Sequence, residues 1–303
     1  MFILKYKNFF FALSGLLVLA SLVAIGMWGL NPSVDFTGGS IVSVRFADAR
    51  PTGPELTTTL EKAGFAGAVV RDSAEGGVLI RTKTLSEGDR TTLLTALSGE
   101  GRYKPEIERL SSVGPTVGQE LRRKTWIAIA LVMLMIILYV AFTFRKVSEP
   151  ISSWVYGLIA ILALLHDITI PTGVFALLGK TAGLEADTLF IVALLTILGL
   201  SVNDTIVVFD RIREHLRRNK EHHTKEGFTE TVGKSLEETY VRSLNTSLTV
   251  ILVLLVLFFL GGSVIHSFVL TLLIGMVVGT YSSIFIASPL LVVIANRKLQ
   301  NLK

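Results

Sequence analysis

Two short clusters of ionisable residues lie inside apolar stretches that are long enough to cross a lipid bilayer. The first is Ser201-Val-Asn-Asp-Thr205, in which Asp204 stands seven residues before Arg211, the first basic residue after the stretch. At about 1.5 Å per helical residue, Asp204 is expected roughly 10 Å inside the boundary of the bilayer. A carboxyl group at that depth is costly, and it is therefore a candidate for ion or proton transfer.

Arg242 stands near the start of the next apolar stretch, which enters the bilayer from the same side. A guanidinium at similar depth can pair with Asp204 and lower the cost of burying each charge. A change in their separation would then bind or release protons, because the opposite charge favours the carboxylate and desolvation disfavours it. Asn203 and Thr205 flank Asp204 and are candidate members of the same site. Two alternatives stay open: a static bridge between helices, and an arginine that only marks the cytoplasmic side.

The second cluster is His166-Asp167, about fifteen residues from the cytoplasmic start of the third apolar stretch and therefore near mid-membrane. A histidine beside an aspartate inside lipid suits a proton relay. A hydrogen bond that only packs two helices is an equally open interpretation. A metal site at His166 is not expected, because histidines 215, 222 and 223 belong to a cytoplasmic segment.

The sixth apolar stretch contains Gly275-Met-Val-Val-Gly279, a pattern of small residues that is typical of close helix packing. The polar residues 280–283 follow directly. They are predicted either to line a hydrated path or to form hydrogen bonds within their own helix.

Membrane helices must position these residues. The chain of 303 residues is 50% hydrophobic and only 17% charged, and its apolar residues collect into runs of the length that spans a bilayer. The net charge of +5 is better explained by Lys and Arg on one membrane face than by nucleic-acid binding. The absence of cysteine excludes disulfides and thiol catalysis. We predict six transmembrane helices, at 9–30, 126–144, 151–178, 188–209, 244–260 and 267–294.

Basic residues fall on alternate connections between these runs, which predicts that both termini are cytoplasmic. Four groups of basic residues lie on the cytoplasmic side: Lys5 and Lys7; Arg145 and Lys146; Arg211, Arg213, Arg217, Arg218 and Lys220; and Arg297, Lys298 and Lys303. The expected location is a bacterial inner membrane. The predicted segments are 1–30 (tail and first span), 31–122 (extracytoplasmic domain), 123–294 (five spans with a cytoplasmic loop at about 211–243) and 295–303 (cytoplasmic tail).

Residues 31–122 contain no run able to cross a membrane, and their pattern predicts strand-helix-strand-strand-helix-strand, the ferredoxin-like order. Ser86 with Asp89 three residues later predicts the start of the second helix. The predicted elements are strands at 41–46, 68–71, 78–82 and 103–110, helices at 54–63 and 86–97, and a turn at Glu75-Gly76-Gly77. The fold class is thus a polytopic α-helical membrane protein with a small α+β extracytoplasmic domain.

The stretch Leu195–Glu214, LTILGLSVNDTIVVFDRIRE, is similar to the fourth-span signature of SecF-type members of the SecD/SecF family of bacterial protein-export membrane proteins. Four further segments agree with that family, and the resemblance covers nearly the whole chain in order. They are Asp35-Phe-Thr-Gly-Gly39, Ser112-Val-Gly-Pro-Thr-Val-Gly118, His166-Asp167 and Gly279-Thr-Tyr-Ser-Ser-Ile-Phe-Ile-Ala-Ser-Pro289.

This resemblance implies one half of a transporter of the resistance-nodulation-division type, which pairs with SecD to form a twelve-span unit. It also implies use of a proton or sodium motive force to help preproteins leave the SecYEG channel after the SecA motor has pushed them in. The family's membrane carboxylate and its partner arginine fall on Asp204 and Arg242. Two departures stand out: Leu200 replaces a usual aromatic residue, and Arg242-Ser-Leu-Asn-Thr-Ser247 differs in detail from the family pattern.

Three other functions remain as alternatives. An exporter of small molecules or lipids would carry a second, larger outer domain. An intramembrane aspartyl protease using Asp167 and Asp204 would carry a Gly-x-Gly-Asp motif, which this sequence lacks. A passive anchor would not need Asp204 in lipid. No hydrolytic active site, cofactor, metal or nucleic acid is expected.

Overall fold

The computed structural model describes residues 2–46, 50–72, 77–99, 101–143, 151–224 and 226–300. The predicted turn residues Glu75 and Gly76, and the basic residues Arg145, Lys146 and Lys303, lie outside these ranges. In chain order the elements are α1 (Phe2–Lys5), α2 (Lys7–Trp28), α3 (Val34–Thr37), β1 (Gly39–Phe46), α4 (Gly53–Lys62), β2 (Val69–Asp72), β3 (Val78–Thr82), α5 (Glu87–Ser98), β4 (Pro105–Val113), α6 (Pro115–Thr143), α7 (Ser153–Thr181), α8 (Thr188–Glu221), α9 (Phe228–Leu260), α10 (Ser263–Ser282), a π-helical segment (Ser283–Ala287) and α11 (Ser288–Gln300).

The chain divides into two compact units. One combines Met1–Asn31 with Ile127–Lys303, and the other is Pro32–Trp126. We call them the helical unit and the sheet unit.

The sheet unit is an antiparallel sheet of four strands in the order β2-β3-β1-β4, which matches the predicted ferredoxin-like order. Strand β1 lies in the interior of the sheet, and its residues alternate between buried and partly exposed sides as the period of a strand requires. The buried residues Val42, Val44 and Phe46 of β1 pack with residues of both helices. That core contains Leu56, Leu60, Phe65, Val78, Ile80, Leu93 and Leu97.

Two glycines at the start of β1 are required by backbone geometry. Gly38 and Gly39 have φ values of +75° and +129°, which side chains rarely tolerate. A Cβ on Gly39 would lie 2.7 Å from the carbonyl oxygen of Thr82, and a Cβ on Gly38 would lie 2.7 Å from Cα of Pro115. The Gly-Gly pair therefore allows α3, β3 and the start of α6 to approach the same short stretch of backbone.

Six helices in the described residues are long and apolar enough to cross a membrane, with mean hydropathy between 1.9 and 2.6. They are α2, α6, α7, α8, α9 and the continuous run Val264–Lys298. The predicted fold class, a polytopic membrane protein with a small α+β domain, is confirmed. In α7, α8 and the last span, 56%, 44% and 50% of the apolar window is buried, against 17%, 11% and 17% in α2, α6 and α9. The spans α7, α8 and Val264–Lys298 therefore form the interior of the helical unit.

The helices α8 and α9 continue well beyond the predicted spans. Within the predicted cytoplasmic loop at 211–243, residues 211–221 and 228–243 are helical. Ion pairs within each helix stabilise these extensions, such as Arg218 with Glu214 at 2.6 Å and Lys234 with Glu230 at 3.3 Å. Hydropathy alone could not detect them, because the extensions are charged.

The last span changes its hydrogen-bond spacing near a proline. The π segment Ser283–Ala287 ends two residues before Pro289, which has no N–H to donate to the carbonyl four residues earlier. The Ser288 hydroxyl donates instead to the Ser283 carbonyl at 3.1 Å. Single π turns inside long helices are frequent at functional sites.

We predict that Gly173→Ala destabilises the helical unit by about 1–3 kcal/mol, the usual cost of overpacking. A Cβ on Gly173 would lie 2.3 Å from Cβ and 2.4 Å from Cα of Ser21, so α2 and α7 would have to separate. Gly15→Ala is the matched control, because a Cβ there meets nothing within 4 Å. Thermal unfolding of both variants checks the prediction, and equal melting temperatures would contradict it.

We also predict that α5 loses protection against hydrogen exchange at acid pH. The backbone N–H and hydroxyl of Ser86 donate to Asp89 and lower the pKa of its carboxyl below the ordinary value of about 4. A lowered folded-state pKa adds stability above the unfolded-state pKa, and this stability is lost as the pH falls through the folded-state pKa. Asp89→Asn should lack the acid-dependent step, and a step of the same size in both proteins would refute this origin.

Candidate functional site

Asp204 lies on the buried side of α8 and is only 6% exposed. Its Oδ2 accepts a hydrogen bond of 3.0 Å from the Ser247 hydroxyl of α9. The same hydroxyl lies 2.9 Å from the Ser243 carbonyl oxygen, so a single hydrogen has two acceptors. The Ser243 hydroxyl is itself buried, without a partner among the described residues. The carboxyl group is therefore held by a hydroxyl that can turn away from it.

Arg242 does not pair with Asp204. Among the described residues, no ion pair joins these two side chains, and Arg242 lies on the exposed face of α9. It lines a cleft of about 470 Å³ together with Asp210, Glu214 and Glu238. The predicted contact is thus replaced by the bond from Ser247. A role for Arg242 as partner of Asp204 in another state stays a prediction.

A repeat of hydroxyl residues on α9 explains which face meets Asp204. Five buried Ser or Thr residues recur at every fourth position: Thr231, Ser235, Thr239, Ser243 and Ser247. Residues four apart lie on one face of a helix, so this stripe faces the interior and carries Arg242 away from it. Sequence reasoning missed Ser247, although the four-residue spacing was a signal that could have found it.

The two neighbours of Asp204 in the sequence separate in space. Asn203 is exposed and does not join the buried site. Thr205 is 1% exposed, and its hydroxyl lies 2.8 Å from the Ser283 hydroxyl of the π segment. Thr205 therefore connects α8 with the last span rather than with α9.

Asp167 lies at the centre of a second buried cluster and has no exposed surface. Its Oδ1 is 2.9 Å from Nδ1 of His166. Its Oδ2 accepts hydrogen bonds from the hydroxyls of Ser201 on α8 and of Ser282 on α10, the latter at 2.7 Å. Three helices thus meet on one carboxyl group.

The His166 ring is enclosed by aromatic and hydroxyl groups. The Tyr281 ring stacks on it with centroids 6.3 Å apart. The Tyr281 hydroxyl donates to the Phe10 carbonyl oxygen at 3.1 Å and accepts from Ser14 at 3.2 Å, which connects the cluster to α2. Nε2 of His166 is buried and has no partner among the described residues.

The two glycines predicted for packing bring α10 against α8. A Cβ on Gly275 would lie 2.2 Å from Cδ1 of Ile197, and a Cβ on Gly279 would lie 3.0 Å from Cβ of Ser201. Because Ser201 donates to Asp167, the close approach at Gly279 also sets the geometry of the second cluster.

Both clusters combine an acidic group with hydroxyls in an apolar interior. A carboxyl group can exchange a proton, and a hydroxyl can donate to its charged form or accept from its neutral form. A search of the described ranges finds no group of three or more His, Asp or Glu residues that could hold a metal ion.

The chain matches two protein-family models. Residues 94–297 match the C-terminal region of the protein export membrane protein SecD/SecF, and residues 23–49 match the SecD/SecF GG motif. The second match contains Gly38 and Gly39, whose backbone geometry requires glycine.

Known relatives agree over nearly the full chain. The protein translocase subunit SecF of Thermobaculum terrenum is 44% identical over 305 residues, covering 96% of this chain and 92% of the relative. The protein translocase subunit SecDF of Thermus thermophilus is 39% identical over 291 residues, covering 93% of this chain but 37% of the relative. A crystal structure of SecDF, a translocon-associated membrane protein from the same genus and species, superposes with a TM-score of 0.81 at 36% identity. It covers 97% of this chain, which spans only 38% of that longer one.

We predict that Ser247→Ala raises the reactivity of Asp204 towards an apolar carbodiimide, which attacks protonated carboxyl groups. Without its hydroxyl donor, a buried carboxylate loses a charge-assisted hydrogen bond worth about 1.5–3 kcal/mol, which favours the neutral acid roughly tenfold or more. Labelling is measured by mass spectrometry at fixed pH. Thr246→Val is the control, because the exposed Thr246 hydroxyl donates to the Arg242 carbonyl oxygen of its own helix at 2.9 Å. Equal labelling of Ser247→Ala and the unaltered chain would contradict the assignment.

Proposed function

The chain belongs to the SecD/SecF family of protein-export membrane proteins, and we propose that it acts with SecD as an accessory subunit of the Sec preprotein translocase. In this proposal the pair uses a proton or sodium motive force at late steps of export through the SecYEG channel. SecA acts earlier and contacts the chain only indirectly through the moving preprotein.

The observation that carries the proposal is the burial of Asp204 in a membrane-spanning helix, where it accepts a hydrogen bond from the Ser247 hydroxyl of the next helix. An isolated carboxyl group in an apolar interior is expensive and marks an ion pathway by default. The bond from Ser247 joins α8 to α9, and protonation of Asp204 changes it from a charge-assisted bond to a weaker bond between neutral groups, which loosens this contact between the two helices. Protonation of Asp204 thus provides a means of converting ion entry into helix movement.

The energy of the ion gradient is sufficient to drive such a helix movement. One elementary charge that crosses 100 mV releases about 2.3 kcal/mol. That energy shifts a two-state equilibrium roughly fifty-fold, which is enough to bias a domain motion.

The exposed faces of α2, α6 and α9 support a partner within the membrane. These spans bury the least of their apolar windows, 17%, 11% and 17%. The Thermus thermophilus relative carries the name SecDF and is much longer than this chain, which supports association of these spans with SecD. We place the chain in a bacterial inner membrane with both termini cytoplasmic and residues 31–122 outside, on the distribution of basic residues.

The separation of the two carboxyl clusters supports a role without hydrolysis. Asp167 bonds to Ser201 and Ser282, whereas Asp204 bonds to Ser247. An aspartyl protease needs two carboxyl groups that share one proton and one water. These two groups have different partners on different helices.

We predict that Asp204→Asn abolishes the stimulation of export by an imposed ion gradient. The amide keeps the shape of the side chain but cannot exchange a proton, so the gradient can no longer act through residue 204. The assay measures translocation of a secretory preprotein into vesicles that contain SecYEG, SecD and this chain, with pH and sodium gradients imposed separately.

Glu221→Gln on the same helix is the matched control, because Glu221 is exposed and pairs with Arg217 of its own helix at 3.4 Å. It should retain full stimulation. Gradient-stimulated export that is equal in Asp204→Asn and in the control, at equal amounts of protein, would rule out the proposal.

A further inference from the structure

The Asp167 cluster has a feature that a static packing contact does not need. The Ser282 hydroxyl has one hydrogen but two acceptors within reach, Oδ2 of Asp167 at 2.7 Å and the Gly279 carbonyl oxygen at 3.0 Å. Both distances are within the normal range for hydrogen bonds between oxygens. The hydroxyl can therefore take either of two orientations while the heavy atoms stay in place.

We propose that Asp167 is a second proton-binding carboxyl of the helical unit and that Ser282 is the hydroxyl through which its protonation state acts on the last span. The inference rests on the proposed ion-coupled function, and it assigns that function a second site.

Each protonation state has a complete set of hydrogen bonds. In the charged state, Ser282 and Ser201 donate to Oδ2, and the Nδ1 hydrogen of His166 points to Oδ1. When a proton arrives, an O–H bond forms on Oδ2 and donates to the Ser282 oxygen. Ser282 then turns its own hydrogen to the Gly279 carbonyl oxygen. Release of the proton reverses both changes, so no charge or hydrogen is left unaccounted for.

The histidine provides a place for the proton to arrive. With its hydrogen on Nδ1, the neutral ring of His166 keeps Nε2 as a bare acceptor. That atom is buried, and the described residues offer it no donor. A buried polar atom of this kind is unusual and calls for an explanation. A proton accepted at Nε2 would form an imidazolium beside the carboxylate, whose Nδ1 hydrogen faces Oδ1. Once Oδ1 has taken that hydrogen, a half-turn of the carboxyl group about its Cβ–Cγ bond exchanges the two oxygens and presents the O–H to Ser282.

Protonation of Asp167 affects the π segment through the Gly279 carbonyl oxygen. The backbone N–H of Ser283, the first residue of that segment, also donates to this oxygen. When Ser282 turns to the same oxygen, the two donors compete where the helix changes from α to π spacing. Side-chain bonds of this type to a preceding carbonyl are known to bend helices. The proton on Asp167 is thus linked to the shape of the last span.

Few other titratable groups face the cluster. Tyr281 on α10 stacks on His166, and Asp204 on α8 has its own partner, Ser247. The π segment carries no titratable side chain. The other titratable side chains of α10, of α2 and α11, and of α6 within the helical unit lie near the ends of those helices: His266, Lys7, Arg297 with Lys298, and Tyr139.

Infrared difference spectroscopy of the full chain in lipid nanodiscs tests the proposal. A protonated carboxyl group gives a C=O band that shifts in heavy water, and we expect such a band to appear as the pH is lowered. Asp167→Asn should remove it, whereas Asp204→Asn should leave it in place. The test and the export assay can therefore fail separately, because the band does not depend on Asp204 or on export.

Ser282→Ala keeps Asp167 and tests the link to the last span, even where Asp167→Asn fails to fold. The band should move to higher wavenumber, because the acid loses its hydroxyl acceptor. Thr280→Val is the matched control on the same helix, since the Thr280 hydroxyl donates to the Met276 carbonyl oxygen of its own helix at 2.8 Å. It should leave the band unchanged.

Three results would overturn the proposal. The first is the absence of any pH-dependent band that requires Asp167. The second is a band that Ser282→Ala leaves unchanged. The third is the loss of the band on addition of sodium ions at constant pH, which would make the cluster a cation site instead.

Discussion

The structure of the helical unit depends on one constraint: two carboxyl groups must be accommodated in an apolar interior. A buried acidic group is tolerated only where neighbouring polar groups satisfy it. Here the partners are hydroxyls supplied by other helices, Ser247 for Asp204 and Ser201 with Ser282 for Asp167. A hydroxyl can donate a hydrogen bond to the charged acid and accept one from the neutral acid, whereas an arginine can only donate. The sites can therefore change protonation state without losing every hydrogen bond.

Close helix packing is what makes these short contacts reachable. A serine hydroxyl extends little beyond the backbone, so the helices that share a carboxyl must approach closely. Glycines provide this approach at Gly275 and Gly279 against α8, and at Gly173 against α2. Within the sheet unit, Gly38 and Gly39 perform a similar task at the start of β1. The buried polar sites therefore depend on the small residues that allow the helices to pack closely.

Local signals in the sequence predicted most of the fold, but not the partners of the carboxyl groups. Hydropathy located the spans, and the Ser86–Asp89 pair located the start of α5. The contact of Asp167 with Ser282 joins residues 115 positions apart and depends on helix rotation, which no local pattern specifies. Arg242 was the expected partner of Asp204 because opposite charges at similar depth can pair. The stripe of hydroxyl residues on α9 instead determines which face of that helix is buried.

The central claim is that the protonation state of Asp204 is converted into movement of α8 against α9. The chain has no cysteine, so spin labels can be placed on introduced cysteines at Val192 and Val253, both of which are exposed. Electron–electron double resonance then measures the distance between the labels across a pH series. The account predicts two distance populations whose ratio follows pH, and a single population when Asp204→Asn fixes the neutral form. One unchanged distance at every pH in the otherwise unaltered chain would contradict it.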